Sequence, residues 1–184
     1  GVYLLGAWVR DSCAGIGTMT YYDDSNNYFA ALGHGICDCD TAALLPLKSG
    51  EAVRAEISGI EKSVCGKAGS FCGYFTDVKF GNLSVNSPLG IFGDLTSENY
   101  KRNKKYLNAN DDEVKTGKAV MVTTPVGDTP QEYNIEIKRI CNRDMTSNEN
   151  FVIKITDSRL RENCGGIVQG MSGAPIMQGG RLVG

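Results

Sequence analysis

Two stretches of the chain carry the residue types of acyl-transfer chemistry. Gly170-Met171-Ser172-Gly173-Ala174-Pro175 places a serine between glycines, where small neighbours let its hydroxyl and nearby backbone N–H groups face a ligand. Acyl transfer needs an exposed nucleophile and backbone donors aimed at the oxyanion that forms after attack, and the amides of Gly170 and Ser172 are the natural donors. A serine hydroxyl is a weak nucleophile until an adjacent imidazole accepts its proton. His34 is the one histidine, so chemistry that needs an imidazole must use it. It follows the apolar run Tyr28-Phe29-Ala30-Ala31-Leu32 and Gly33. Alone, each stretch has a plain structural reading: a Gly-rich β-turn, and a histidine that serves the fold. Their context decides.

The elements that must position these groups read as short strands. Val53, Ala55 and Ile57 alternate with polar neighbours, as do Tyr133, Ile135 and Ile137; Phe151, Ile153 and Ile155 also recur at every second position. A period of two marks a half-buried strand. Apolar segments at Gly15 to Thr20, Phe29 to Leu32 and Lys118 to Thr124 predict further strands. Turn signals separate them at Asp23 to Asn27, Lys48 to Gly50, Gly127 to Pro130 and Gln178 to Gly180. The stretch from Thr96 to Asp112, rich in Asn, Lys and Asp, is expected to be a linking loop or a short polar helix. Many short strands predict an all-β sandwich or barrel. The linker divides a single 1–184 domain into two β-barrel subdomains at approximately 1–95 and 115–184.

Composition removes several function classes. At 184 residues and 41% hydrophobic, the chain can bury a core, which excludes wholesale disorder. No apolar run approaches the roughly 20 residues of a membrane helix. Gly1 to Gly6 shows no signal-peptide pattern. A net charge of −2 without a basic stripe argues against a nucleic-acid partner. The seven cysteines are an odd number, so at least one is free or paired outside the chain. Cys65 and Cys72 flank a Gly-rich loop and are either paired or simply small buried hydrophobes. A structural zinc site on Cys37, Cys39, Cys65 and Cys72 would be a different kind of protein, but the spacing within each pair does not suit zinc. No metal or cofactor is implied.

The serine segment, with its proline, apolar strand, Gly-Gly turn and Arg181-Leu182-Val183-Gly184, resembles the nucleophile hairpin of chymotrypsin-like serine peptidases. Met171 stands where that pattern has Asp, so a switch that docks a freed N-terminus on this Asp is not expected. The order His then Ser is also of the chymotrypsin type. Three blocks, Trp8-Val9-Arg10-Asp11-Ser12-Cys13-Ala14-Gly15-Ile16-Gly17-Thr18, Ala31-Leu32-Gly33-His34 and Gly165 to Pro175, together resemble the SpoIVB-type sporulation peptidases.

That resemblance implies a trypsin-like double β-barrel with endopeptidase activity. It implies a spore-forming bacterium, in which the enzyme is secreted from the forespore into the intermembrane space. There it would cut the extracellular region of a membrane complex and so trigger late sigma-factor activation. Family members carry a membrane anchor and a PDZ domain before this region. The resemblance points to Asp157 as the acid that orients His34, whereas chymotrypsin topology suggests Asp77. Asp38, Asp40 and Asp94 read as loop charges or turn caps. The rival reading is a catalytically incomplete trypsin-like module that binds a partner in its cleft.

Overall fold

The computed structural model describes residues 13–23, 25–96, 105–141 and 150–184. Trp8 to Ser12 of the first resemblance block and 97–104 of the polar stretch lie outside them. Among the described residues the chain is all-β with one short α-helix, consistent with a trypsin-like fold, and the strands described form two six-stranded sheets.

The first sheet runs β1 (Tyr21–Asp23), β2 (Tyr28–Leu32), β5 (Gly90–Leu95), β4 (Gly69–Ser87) and β10 (Val168–Gln169), with β3 (Glu51–Glu61) also paired to β4. The second runs β6 (Leu107–Asn108), β12 (Arg181–Leu182), β11 (Ile176–Gln178), β7 (Gly117–Thr123), β8 (Gln131–Ile140) and β9 (Phe151–Ile155). The first half of the chain thus builds one sheet and the second half the other, except that β10 returns to pair in parallel with β4 at Gly69 and Ser70.

Alternation explains the second sheet. Ala119, Met121 and Thr123 of β7 are buried, as are Tyr133, Ile135 and Ile137 of β8. The antiparallel register sets Ala119 opposite Ile135 and Met121 opposite Tyr133, so one face of the pair is continuous apolar surface. Helix α1 (Ser158–Cys164) covers this face with Leu160 and Cys164, and Val168 and Met171 complete the cluster. Ile135, Ile137, Leu160 and Cys164 are essentially inaccessible. Truncating any of the three aliphatic ones to Ala would cost about 2–5 kcal/mol.

The first sheet is thinner. Phe29 is its main anchor, packed edge-to-face on Phe80 at 5.7 Å, with Gly81 and Gly93 close against its ring. β4 is long and bulged, and Tyr74, Phe75 and Val78 at its middle remain exposed.

Two local expectations are corrected. Gly15 to Thr20 forms no strand, because Thr18 bonds to the serine loop instead of to a ladder. The Gly-rich stretch at Cys65 to Cys72 is partly strand, since β4 begins at Gly69, and Cys65 and Cys72 are exposed rather than buried, with none of the seven cysteines in a disulfide. No helix is long and apolar enough to cross a membrane among the described residues.

Candidate active site

The histidine is delivered by the end of β2. Leu32 pairs with Gly90, and the Gly33 amide donates to the Leu89 carbonyl at 3.0 Å. Gly33 then turns at φ +118°, a region that L side chains rarely enter. His34 emerges exposed, with Nδ1 3.0 Å from the Gly35 carbonyl oxygen. A carbonyl only accepts, so Nδ1 is the donor in this contact, and in the neutral ring Nε2 is then the acceptor. The following loop is tied to β4 by Asn86. Its Oδ1 accepts from the Ile36 amide at 2.8 Å, and its Nδ2 donates to the Ile36 and Leu45 carbonyls at 2.9 Å each.

The serine lies on the crossover between the sheets. After β10 pairs in the first sheet, residues 170–175 carry the chain to β11 in the second. Two short-range bonds shape the turn: Met171 N to the Val168 carbonyl at 3.2 Å, and Ala174 N to the Met171 carbonyl at 2.9 Å. Gly170 and Gly173 take positive φ, +102° and +88°. A β-carbon on Gly170 would stand 2.6 Å from the Phe71 ring, and one on Gly173 2.1 Å from the Thr18 carbonyl oxygen. Both glycines are therefore required by conformation and by space. Met171 is buried in the core cluster, which accounts for an apolar residue where the chymotrypsin-like pattern has Asp.

Thr18 holds this turn from outside. Its amide donates to the Ser172 carbonyl and its hydroxyl to the Gly170 carbonyl, both at 2.9 Å. Thr20 continues the link: its hydroxyl accepts from the Leu32 amide at 2.9 Å, tying the same segment to β2. Among the described residues, the amides of Gly170 and Ser172 have no protein acceptor.

Ser172 and His34 line one cleft, of about 630 Å³. Contact between their segments is direct, since the place a Gly33 β-carbon would take is 2.6 Å from Ser172 Oγ. Neither Asp157 nor Asp77 lines the cleft. Asp157 is buried and caps α1. Its Oδ1 accepts from Arg159 N at 3.0 Å and Nε at 3.1 Å, and its Oδ2 from Arg159 Nη2 at 2.9 Å and Asn134 N at 3.2 Å. Chiefly the Arg159 bond, helped by the two backbone donors, holds the carboxyl at about 2 against burial, which opposes it. Arg159 also lies 4.9 Å from the centre of the Tyr133 ring and donates to the Glu132 carbonyl. Asp77 lies exposed in the middle of β4. Asp38 accepts from the amides of Asp40 and Thr41 as a turn cap, and Asp94 accepts from the Ser84 hydroxyl within the first sheet.

Thr18, Thr20 and Asn86 do not stand out in the sequence. Each works through a partner 12 or more positions away, so no local spacing marks it.

A family model described as SpoIVB peptidase S55 matches residues 1–184. No curated protein and no solved structure matches the chain.

Proposed function

From the premise that this chain belongs to the SpoIVB peptidase S55 family, and so is a serine peptidase, we propose that Ser172 is its nucleophile and His34 its general base. The observation that carries this reading is the shared cleft, with Ser172 Oγ set against Gly33, the residue before the histidine. His34 Nε2 takes the hydroxyl proton as Oγ attacks the scissile carbonyl carbon. The amides of Gly170 and Ser172, free of protein acceptors, donate to the oxyanion of the tetrahedral intermediate. Collapse of that intermediate breaks the C–N bond, and the imidazolium passes its proton to the leaving amine. Water then repeats the sequence on the acyl-enzyme and restores Ser172.

Asp157 takes the third role that the family resemblance gives it. Its carboxyl, held at about 2 chiefly by Arg159 against the opposing effect of burial, is ionised at neutral pH, as an acid that stabilises an imidazolium requires. Both its oxygens are occupied by Arg159 and the Asn134 amide. To orient His34, Asp157 would have to leave Arg159, and His34 Nδ1 would have to leave the Gly35 carbonyl.

In its cellular setting, the enzyme is released from the forespore into the intermembrane space of a sporulating cell. There it cuts the extracellular region of a membrane complex to set off late sigma-factor activation. Family membership supports this assignment.

A fluorophosphonate probe, which labels only an activated serine, tests the catalytic pair. Labelling of the wild-type chain that is lost in both Ser172→Ala and His34→Ala is expected. Labelling that survives either substitution would overturn the assignment.

A further inference from the structure

We propose that the cleft beside Ser172 receives an uncharged, apolar side chain, so that the enzyme cuts after apolar residues; this rests on the peptidase reading above. The side chain nearest the nucleophile during attack is the one on the residue whose carbonyl is attacked. The space open to it here is bounded by Met121, Ile153, Val168, Met171 and Ile176. Met121, Val168 and Met171 are almost fully buried and form its floor, while Ile153 of β9 and Ile176 of β11 are half-buried walls. No Asp, Glu, Lys or Arg lines the cleft among the described residues. A Lys or Asp side chain entering it would lose its water and meet no opposite charge, which is unfavourable. A Leu or Phe side chain would instead remove apolar surface from water on both partners.

The two sheets are what make this site. The floor is the same apolar cluster that joins β7, α1 and the end of β10, so the specificity surface is one edge of the second sheet's core.

The test uses the purified chain, the fluorophosphonate probe and a set of peptides that differ only in the residue before the scissile bond. With labelling of a separate sample showing that Ser172 is active, cleavage by the unlabelled enzyme after Leu or Phe is expected to exceed cleavage after Lys or Asp by about tenfold or more in kcat/KM. Ile153→Asp is expected to move preference toward Lys by about tenfold while labelling persists. If that variant does not fold, Ile167→Asp at the exposed rim is expected to make the same shift in smaller measure. An enzyme that the probe labels in a separate sample, but that when unlabelled cuts equally after charged and apolar residues, would overturn the inference and leave the peptidase reading standing. Absence of both labelling and cleavage in folded protein would overturn the peptidase reading, and this inference with it.

Discussion

Gly33 and Ser172 share one space: a β-carbon on Gly33 would lie 2.6 Å from Ser172 Oγ, well inside van der Waals contact. The residue before the histidine must therefore be the one without a side chain. The sheet that delivers His34 and the crossover that delivers Ser172 meet at this point. Gly33→Ala is expected to cut peptidase activity by about 100-fold or more, because a displacement near 1 Å at the reacting atoms has that effect. Its backbone, at φ +118°, adds strain of about 1–2 kcal/mol. Rates of fluorophosphonate labelling read beside the melting temperature would separate the two effects. Labelling at the wild-type rate would show that the contact does not position the serine.

Ser172→Ala is expected to abolish proteolysis while leaving the melting temperature within a few degrees of wild type. The side chain is small and only half-buried, and no hydrogen bond from its hydroxyl is seen among the described residues. Loss of the nucleophile removes the covalent route, worth about 10⁶-fold in such enzymes. Proteolysis and thermal unfolding of the purified variant check this. Unchanged cleavage would remove Ser172 from the mechanism.

Parts of this architecture were legible because burial leaves a period in the sequence. β8 and β9 each bury one face, so Tyr133, Ile135 and Ile137, or Ile153 and Ile155, recur at every second position. β4 keeps residues of both faces near solvent along its middle, and its alternation is lost. Helix α1 is seven residues long, too short for a helical period to show. Its boundaries, Asp157 at the N-cap and Gly165 in the left-handed region at the C-cap, are present in the sequence. Asp157, however, also reads as the acid before the serine, and one residue carries both signals. The serine turn was legible for a different reason: its glycines are required by close approach, so the chemistry and the sterics select the same residues. Which distant residues tie that turn down, Thr18 above all, depends on topology and leaves no local trace.

Asp157→Asn is expected to reduce kcat by about 10³-fold or more, and Asp77→Asn by less than about twofold, since the proposed mechanism gives the role of orienting His34 to Asp157 and none to Asp77. Stability gives an independent readout. The carboxyl is lowered from an ordinary 3.8 to about 2 in the folded chain. Its contribution, on the order of 2 kcal/mol, is fully present above pH 4 and is lost as pH falls through about 2. The variant should therefore unfold more easily than wild type at neutral pH, with the gap closing in acid. Urea unfolding at pH 7 and pH 3, together with kcat for both variants, tests the pair of expectations. A larger loss of kcat in Asp77→Asn would transfer the acid's role to Asp77.

Thr18→Val isolates the clamp on the serine turn. Valine keeps the side-chain shape and the amide that donates to the Ser172 carbonyl, and it deletes only the hydroxyl bond to the Gly170 carbonyl. A net hydrogen bond contributes about 1 kcal/mol, so stability should fall by no more than that. If the bond also fixes the amides that meet the oxyanion, part of the loss appears in the transition state. A fall in kcat of about fivefold with KM nearly unchanged is then expected. Steady-state kinetics on one peptide, beside the unfolding midpoint, makes the comparison. A lowered midpoint with kcat intact would make Thr18 a support of the fold alone. The expected split, kcat reduced and KM held, would show that the segment before β1 reaches across to set the geometry of the turn that carries Ser172.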